Sequence, residues 1–152
     1  MTGPRARTRH ESANWIVTSF VGGNRGKANT YLATCRRTSQ SILIDPGGDA
    51  DELLPALRAT EAEIEFVLLT HGHFDHISSA SVVCEEYGIA CVIHPADIRL
   101  LRHAPFYALR FDGSLLEVPK TVVPLDAPGA PDLSKRDIRL LPSAGHTLGG
   151  IC

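Results

Sequence analysis

Three histidines and an aspartate fall within six positions of LLTHGHFDHISSA, residues 68–80: His71, His73, Asp75 and His76. They follow an apolar run, IEFVLLT, that reads as a buried strand. Neutral imidazoles and carboxylates are ligands for first-row metal ions. Along an extended stub alternate residues point the same way, so His71 and His73 share a side, with Asp75 and His76 on the bend that follows. Four donors so placed can face one or two cations. A lone histidine at a strand end is ordinarily hydrogen-bonded or solvated, and Asp75 alone would read as the N-cap of the next helix. Crowding three imidazoles gains nothing for folding without a cation, because protonating one repels the others and burying each requires a partner. The cluster therefore reads as a metal centre.

The elements that must position it follow from pattern. WIVTSF, YLATC and SILID are three short β-branched strands, separated by GGNRGKAN and RRTSQ. GGNRGK does not have the spacing of a phosphate-binding loop and reads as a turn. Pro46, Gly47 and Gly48 end the third strand, and Asp49 with Glu52 forms a capping box for a helix over DELLPALRAT, with Pro55 near its first turn. After the histidine cluster, HISSASVVCEEYG has helical spacing and Gly88 ends it. IACVIH is the next strand and PADIRLLRH a short helix. Residues 104–136 hold five of the ten prolines and read as a long loop or insertion. DIRLLP alternates as a final strand before SAGHTLGG. This order gives an α/β fold with a mixed sheet and flanking helices, in which ligands collect at strand carboxyl ends.

With 152 residues the chain fits one domain, and 43% hydrophobic and 21% charged residues are ordinary for a globular protein. A net charge of -2 offers no field for nucleic acid or an anionic membrane, and neither partner is expected. Cys35, Cys84, Cys91 and Cys152 form no CxxC pair, which suits free thiols in a reducing, cytoplasmic compartment. The start, MTGPRARTRHESA, has no apolar core of a secretory signal and reads as a disordered tail over 1–14, with the folded domain over 15–152. His94, before Pro95, and His103, at a basic helix end, read as structural or solvated.

HGHFDH matches the HxHxDH signature, and with NTYL (29–32), LIDPGG (43–48), IHPAD (93–97) and AGHTLGG (144–150) the chain resembles the metallo-β-lactamase superfamily. The pairing of LIDPGG with HGHFDH is most similar to its glyoxalase II-like branch. The resemblance implies that His71, His73 and His146 ligate a first metal and that Asp75 and His76 ligate a second. It also gives Asp75 a catalytic part in orienting the water or accepting its proton. Glycines at 145, 149 and 150 suit a tight turn around His146.

The family pattern goes on to further strands, a metal-bridging aspartate and a last histidine, and Cys152 precedes them all. The expected fold is therefore an incomplete αββα sandwich: its N-terminal half plus the strand leading to His146, with one sheet face under-covered. The implied function is zinc-dependent hydrolysis, with one or two ions, of a small-molecule thioester such as an acyl-glutathione, or of a related ester, by metal-activated water. An iron-dependent persulfide dioxygenase is the second implied reading. A non-catalytic, metal-binding remnant of a truncated gene is the third.

Overall fold

A computed structural model describes residues 6–21 and 28–152. The GGNRGK turn and residues 1–5 of the expected tail lie outside them. Among the described residues seven strands form one sheet in chain order: β1 (Ala6–Glu11), β2 (Trp15–Val21), β3 (Asn29–Cys35), β4 (Gln40–Ile44), β5 (Glu63–Leu68), β6 (Ala90–Ile93) and β7 (Val122–Pro124). The first four are antiparallel neighbours, and β4 to β7 run parallel. Helices α1 (Ala50–Arg58), α2 (Phe74–Ile77), α3 (Ala80–Tyr87) and α4 (Ile98–Phe111) fill the connections between the parallel strands. The mixed α/β architecture expected from the sequence is the one observed.

Side-chain alternation sorts the sheet into two faces. Leu43, Val67, Leu69, Cys91 and Ile93 pack with Leu53 and Leu57 of α1, Ile77 of α2, Val83 of α3 and Leu101 of α4. On the opposite face Ile42, Phe66, Leu68 and Val92 pack against Leu133 and Ile151, with Ile138 and Leu140 alongside. Burying each of these large side chains contributes about 1.5–3 kcal/mol. The second face is not left bare: Ile42 and Val92 are each 1% exposed. The irregular segment over 131–140 lies across it and supplies the apolar contacts.

Several local expectations are corrected. Ala6–Glu11 is an edge strand rather than a frayed tail, held by its ladder to β2 and by a salt bridge from Arg36 to Glu11. The helix expected over 76–88 divides into α2 and α3, with Ser78 and Ser79 between them donating their hydroxyls to the Gly48 carbonyl. Asp49 caps α1 through its backbone carbonyl, which accepts from Glu52 and Leu53, and forms no side-chain cap bond. Pro55 lies inside that helix, beyond its first turn. Helix α4 continues through Pro105 into the region read as a loop, because Leu101, Ala104 and Ala108 keep one buried face. That packing offsets the ~3 kcal/mol an interior proline costs. Residues 122–124, also read as loop, form β7, a strand too short to show a pattern and closed at the sheet edge by Pro124.

DIRLLP forms no strand; it reaches only one bridge, Pro142 to Ile151, and Pro142 has no N–H with which to extend it. All four cysteines are free thiols. Among the described residues no helix is long and apolar enough to cross a membrane.

Candidate metal centre

Three adjacent parallel strands deliver the site from their carboxyl ends. β4 runs into Asp45, β5 into Thr70 and His71, and β6 into the turn Pro95–Asp97. His73 is the N-cap of α2, so Asp75 and His76 lie in that helix's single turn. His146 arrives from a separate loop, which is docked by the Ile151 N–H donating to the Thr70 carbonyl at 3.0 Å. Ser143 N–H to Gly150 O and Gly145 N–H to Thr147 O close that loop on itself.

The histidines expected to share the first metal do converge. The ligand atoms of His71, His73 and His146 all lie within 4.8 Å of one another. Their ring centroids are 4.8 Å apart for His71–His73, 5.0 Å for His71–His146 and 4.5 Å for His73–His146. A second group overlaps it: Asp45, His71 and His76 also have ligand atoms within 4.8 Å of one another. Asp75 belongs to neither group; one carboxylate oxygen lies 3.9 Å from His76 Nε2.

Asp45 organises the donors and was not singled out from the sequence. It is 3% exposed, and its backbone takes a left-handed φ of 48°. Its carboxylate accepts from Thr70 N–H at 2.8 Å, from the Thr70 hydroxyl at 2.5 Å and from His76 Nδ1 at 3.0 Å. Its sequence signal was its place in LIDPGG, directly after a buried strand, where an acidic residue reads equally well as a turn residue.

The Thr70 hydroxyl has one proton and gives it to Asp45, so toward His71 Nδ1, 3.0 Å away, it can only accept. His71 Nδ1 therefore carries the hydrogen, and the lone pair is on Nε2. That Nε2 is buried and has no hydrogen-bond partner. An orphaned buried acceptor is costly unless something else fills the position, and a divalent cation fits this donor set. By the same logic His76 donates Nδ1–H to Asp45, which leaves its Nε2 lone pair 3.9 Å from an Asp75 carboxylate oxygen.

The electrostatics favour the neutral forms of His71 and His73. Burial, then the positive charge that His76 would carry, pushes His71 down from 6.5 to about 4. Burial and His146 lower His73. Burial also opposes charge on His76, but its hydrogen bond to Asp45 and the charge of Asp45 outweigh this and raise it. Neutral imidazoles are the state that binds a cation.

Beside His73 and His146 opens a cleft of about 440 Å³, walled by Arg99, His103 and Tyr107 of α4 and by Leu148. A larger cavity of about 540 Å³ lies elsewhere, around Trp15, Arg36 and Arg136. Both of those arginines are committed to ion pairs, with Glu11 and Glu65, and among the described residues no metal-type cluster adjoins it. His94 accepts the Ala96 N–H and caps the turn before α4, whereas exposed His103 hydrogen-bonds the Arg99 carbonyl.

Residues 23–152 match the model of the metallo-beta-lactamase superfamily, and the chain belongs to that superfamily. It is 33% identical over 147 residues to protein ML0493 of Mycobacterium leprae, covering 90% of this chain and 66% of that one. It is 28% identical over 135 residues to the probable metallo-hydrolase MJ0888 of Methanocaldococcus jannaschii, covering 86% and 64%. Among solved structures, TTHA1623 in a di-iron-bound form superposes with a TM-score of 0.72 at 28% identity, over 86% of this chain and 63% of that one. The chain thus spans slightly less than two thirds of the length of these relatives.

Proposed function

We propose that this chain carries the first metal site of a metal-dependent hydrolase and that its substrate is a small thioester of the acyl-glutathione type, or a related ester. The observation that carries the reading is the convergence of His71, His73 and His146 around an unpartnered, buried Nε2. A likeness to a probable metallo-hydrolase across most of the chain supports the reaction class.

A divalent cation at the three histidines would supply Lewis acidity at the substrate carbonyl and lower the pKa of a bound water toward ~7. The chain's own groups do the remainder. His71, His73 and His146 offer nitrogen donors, with His71 fixed in its tautomer through Thr70 and Asp45. His76, its Nδ1–H committed to Asp45, offers Nε2 on the side of Asp75. The half-buried Asp75 carboxylate is the acceptor for a proton released from the attacking water. Arg99 on the cleft wall suits an anionic end of the substrate, and Tyr107 and Leu148 suit its carbon skeleton. The products are a carboxylate and a thiol.

Zinc is the metal favoured by three histidines with room for a fourth ligand. A similar structure solved in a di-iron-bound form supports iron as the second candidate metal, and with iron the alternative activity is an oxygen-consuming persulfide dioxygenase. Metal analysis of the purified chain, followed by thioester turnover with zinc or iron added, separates the two. Turnover with zinc that disappears in His71→Ala supports hydrolysis. Stoichiometric zinc with no hydrolysis of any thioester or ester tried would sink it and leave a non-catalytic metal-binding chain.

A further inference from the structure

We infer that Asp97 is a positioning residue for the metal centre: one buried carboxylate clasps the loop bearing His146 to the loop bearing His71 and His73. The inference rests on the proposed ligand role of those histidines, whereas the clasp itself is made only by atoms of this chain.

Asp97 is 1% exposed. Its Oδ1 accepts the Gly149 N–H at 2.7 Å, and its Oδ2 accepts the Gly72 N–H at 3.1 Å. Gly72 stands between His71 and His73, and Gly149 is three residues after His146. The two oxygens of a single carboxylate thus hold the two loops whose registration decides whether three imidazoles meet.

Two independent observations support the assignment. Asp97 is the N-cap of the 14-residue helix α4, where an aspartate ordinarily bonds the first turn, yet its side chain makes no cap bond. Both side-chain bonds go instead to the loops. Second, each clasped residue is a glycine pressed against this point. A Cβ on Gly149 would meet His94 Nδ1 at 2.8 Å and Asp97 N and Oδ1 at 3.0 Å; one on Gly72 would meet Leu101 N at 2.8 Å and Asp97 O at 3.0 Å. Neither glycine has a positive φ, so close approach rather than backbone conformation is the constraint. An asparagine could not replace the carboxylate, since its amide would present a donor to one of the two N–H groups.

The experiment uses the full chain. In metal-free Asp97→Asn, the amides of Gly72 and Gly149 should exchange about ten-fold faster or more, with the β4 and β5 amides unchanged. Zinc affinity, measured by chelator competition, should fall by about ten- to a hundred-fold. The cobalt-loaded variant should show weaker visible absorption as His146 leaves the coordination sphere. Gly149→Ala, which displaces the same loop without altering charge, should reproduce the affinity loss, and the double variant should be no worse than the weaker single one. It also carries the test if Asp97→Asn does not fold. Unchanged zinc affinity in Asp97→Asn or Gly149→Ala, or amides that stay protected in Asp97→Asn, would overturn the assignment. Failure of the metal reading looks different: wild-type protein that binds no zinc.

Discussion

The Thr70 hydroxyl lies 2.5 Å from Asp45 Oδ2, and this one contact decides where the proton on the neighbouring imidazole must be. Having donated to the carboxylate, Thr70 can only accept from His71, which leaves His71 Nε2 bare inside the site. Thr70→Val keeps the volume and removes the relay. Zinc affinity is expected to fall by about ten- to a hundred-fold, with a stability change of about 1 kcal/mol in denaturant titration. Wild-type affinity in this variant would show that the relay does not orient His71.

Metal-free protein should lose stability on mild acidification. His71 titrates at about 4 when folded against 6.5 unfolded, so between those values the unfolded chain binds more protons. Stability then falls as pH drops from 6.5 toward 4, and the lowered His73 acts in the same direction. His76 acts oppositely, because a raised group contributes stability at low pH that is lost as pH rises through its folded value. Melting curves across this range should show the acid loss in wild type and a shallower slope in His71→Ala. Equal slopes would contradict the assignment.

How much of this was legible in the chain depended on whether a residue advertised itself through periodicity or chemistry. Leu43, Val67 and Ile93 alternate with polar or opposite-facing neighbours, so the central strands were plain. His71, His73 and His76 were plain because imidazoles are rarely crowded. β1 was hidden because ARTRHE is polar at every position after Ala6 and only its pairing with β2 makes it a strand. The far end of α4 was hidden by Pro105, which local rules read as a stop. Asp45 and Asp97 stood unassigned inside LIDPGG and IHPAD because their partners, Thr70, His76, Gly72 and Gly149, are distant in sequence.

Gly47 offers a test of how α2 is seated. A Cβ there would collide with the Asp75 carbonyl oxygen, a backbone atom that cannot swing away. Gly47→Ala should destabilise the chain by about 1–3 kcal/mol, as overpacking does. Unchanged thermal stability would mean that the helix carrying Asp75 and His76 moves freely.

Thiol reactivity should divide the four cysteines. Burial pushes Cys84 up to about 12 and Cys91 well above its ordinary value, whereas hydrogen bonds from Thr38 lower Cys35. Iodoacetamide at near-neutral pH should label Cys35 and exposed Cys152, and reach Cys84 and Cys91 only after denaturation. Mass spectrometry of native and denatured samples reads the outcome.

X-ray absorption of the zinc-loaded chain tests the central claim most directly, since it counts imidazole nitrogens at ~2.0–2.1 Å from the ion. The account predicts three in wild type and two in His146→Ala, with one zinc taken up tightly per wild-type chain. An unchanged histidine count on removing His146, or no stoichiometric zinc at all, would contradict it.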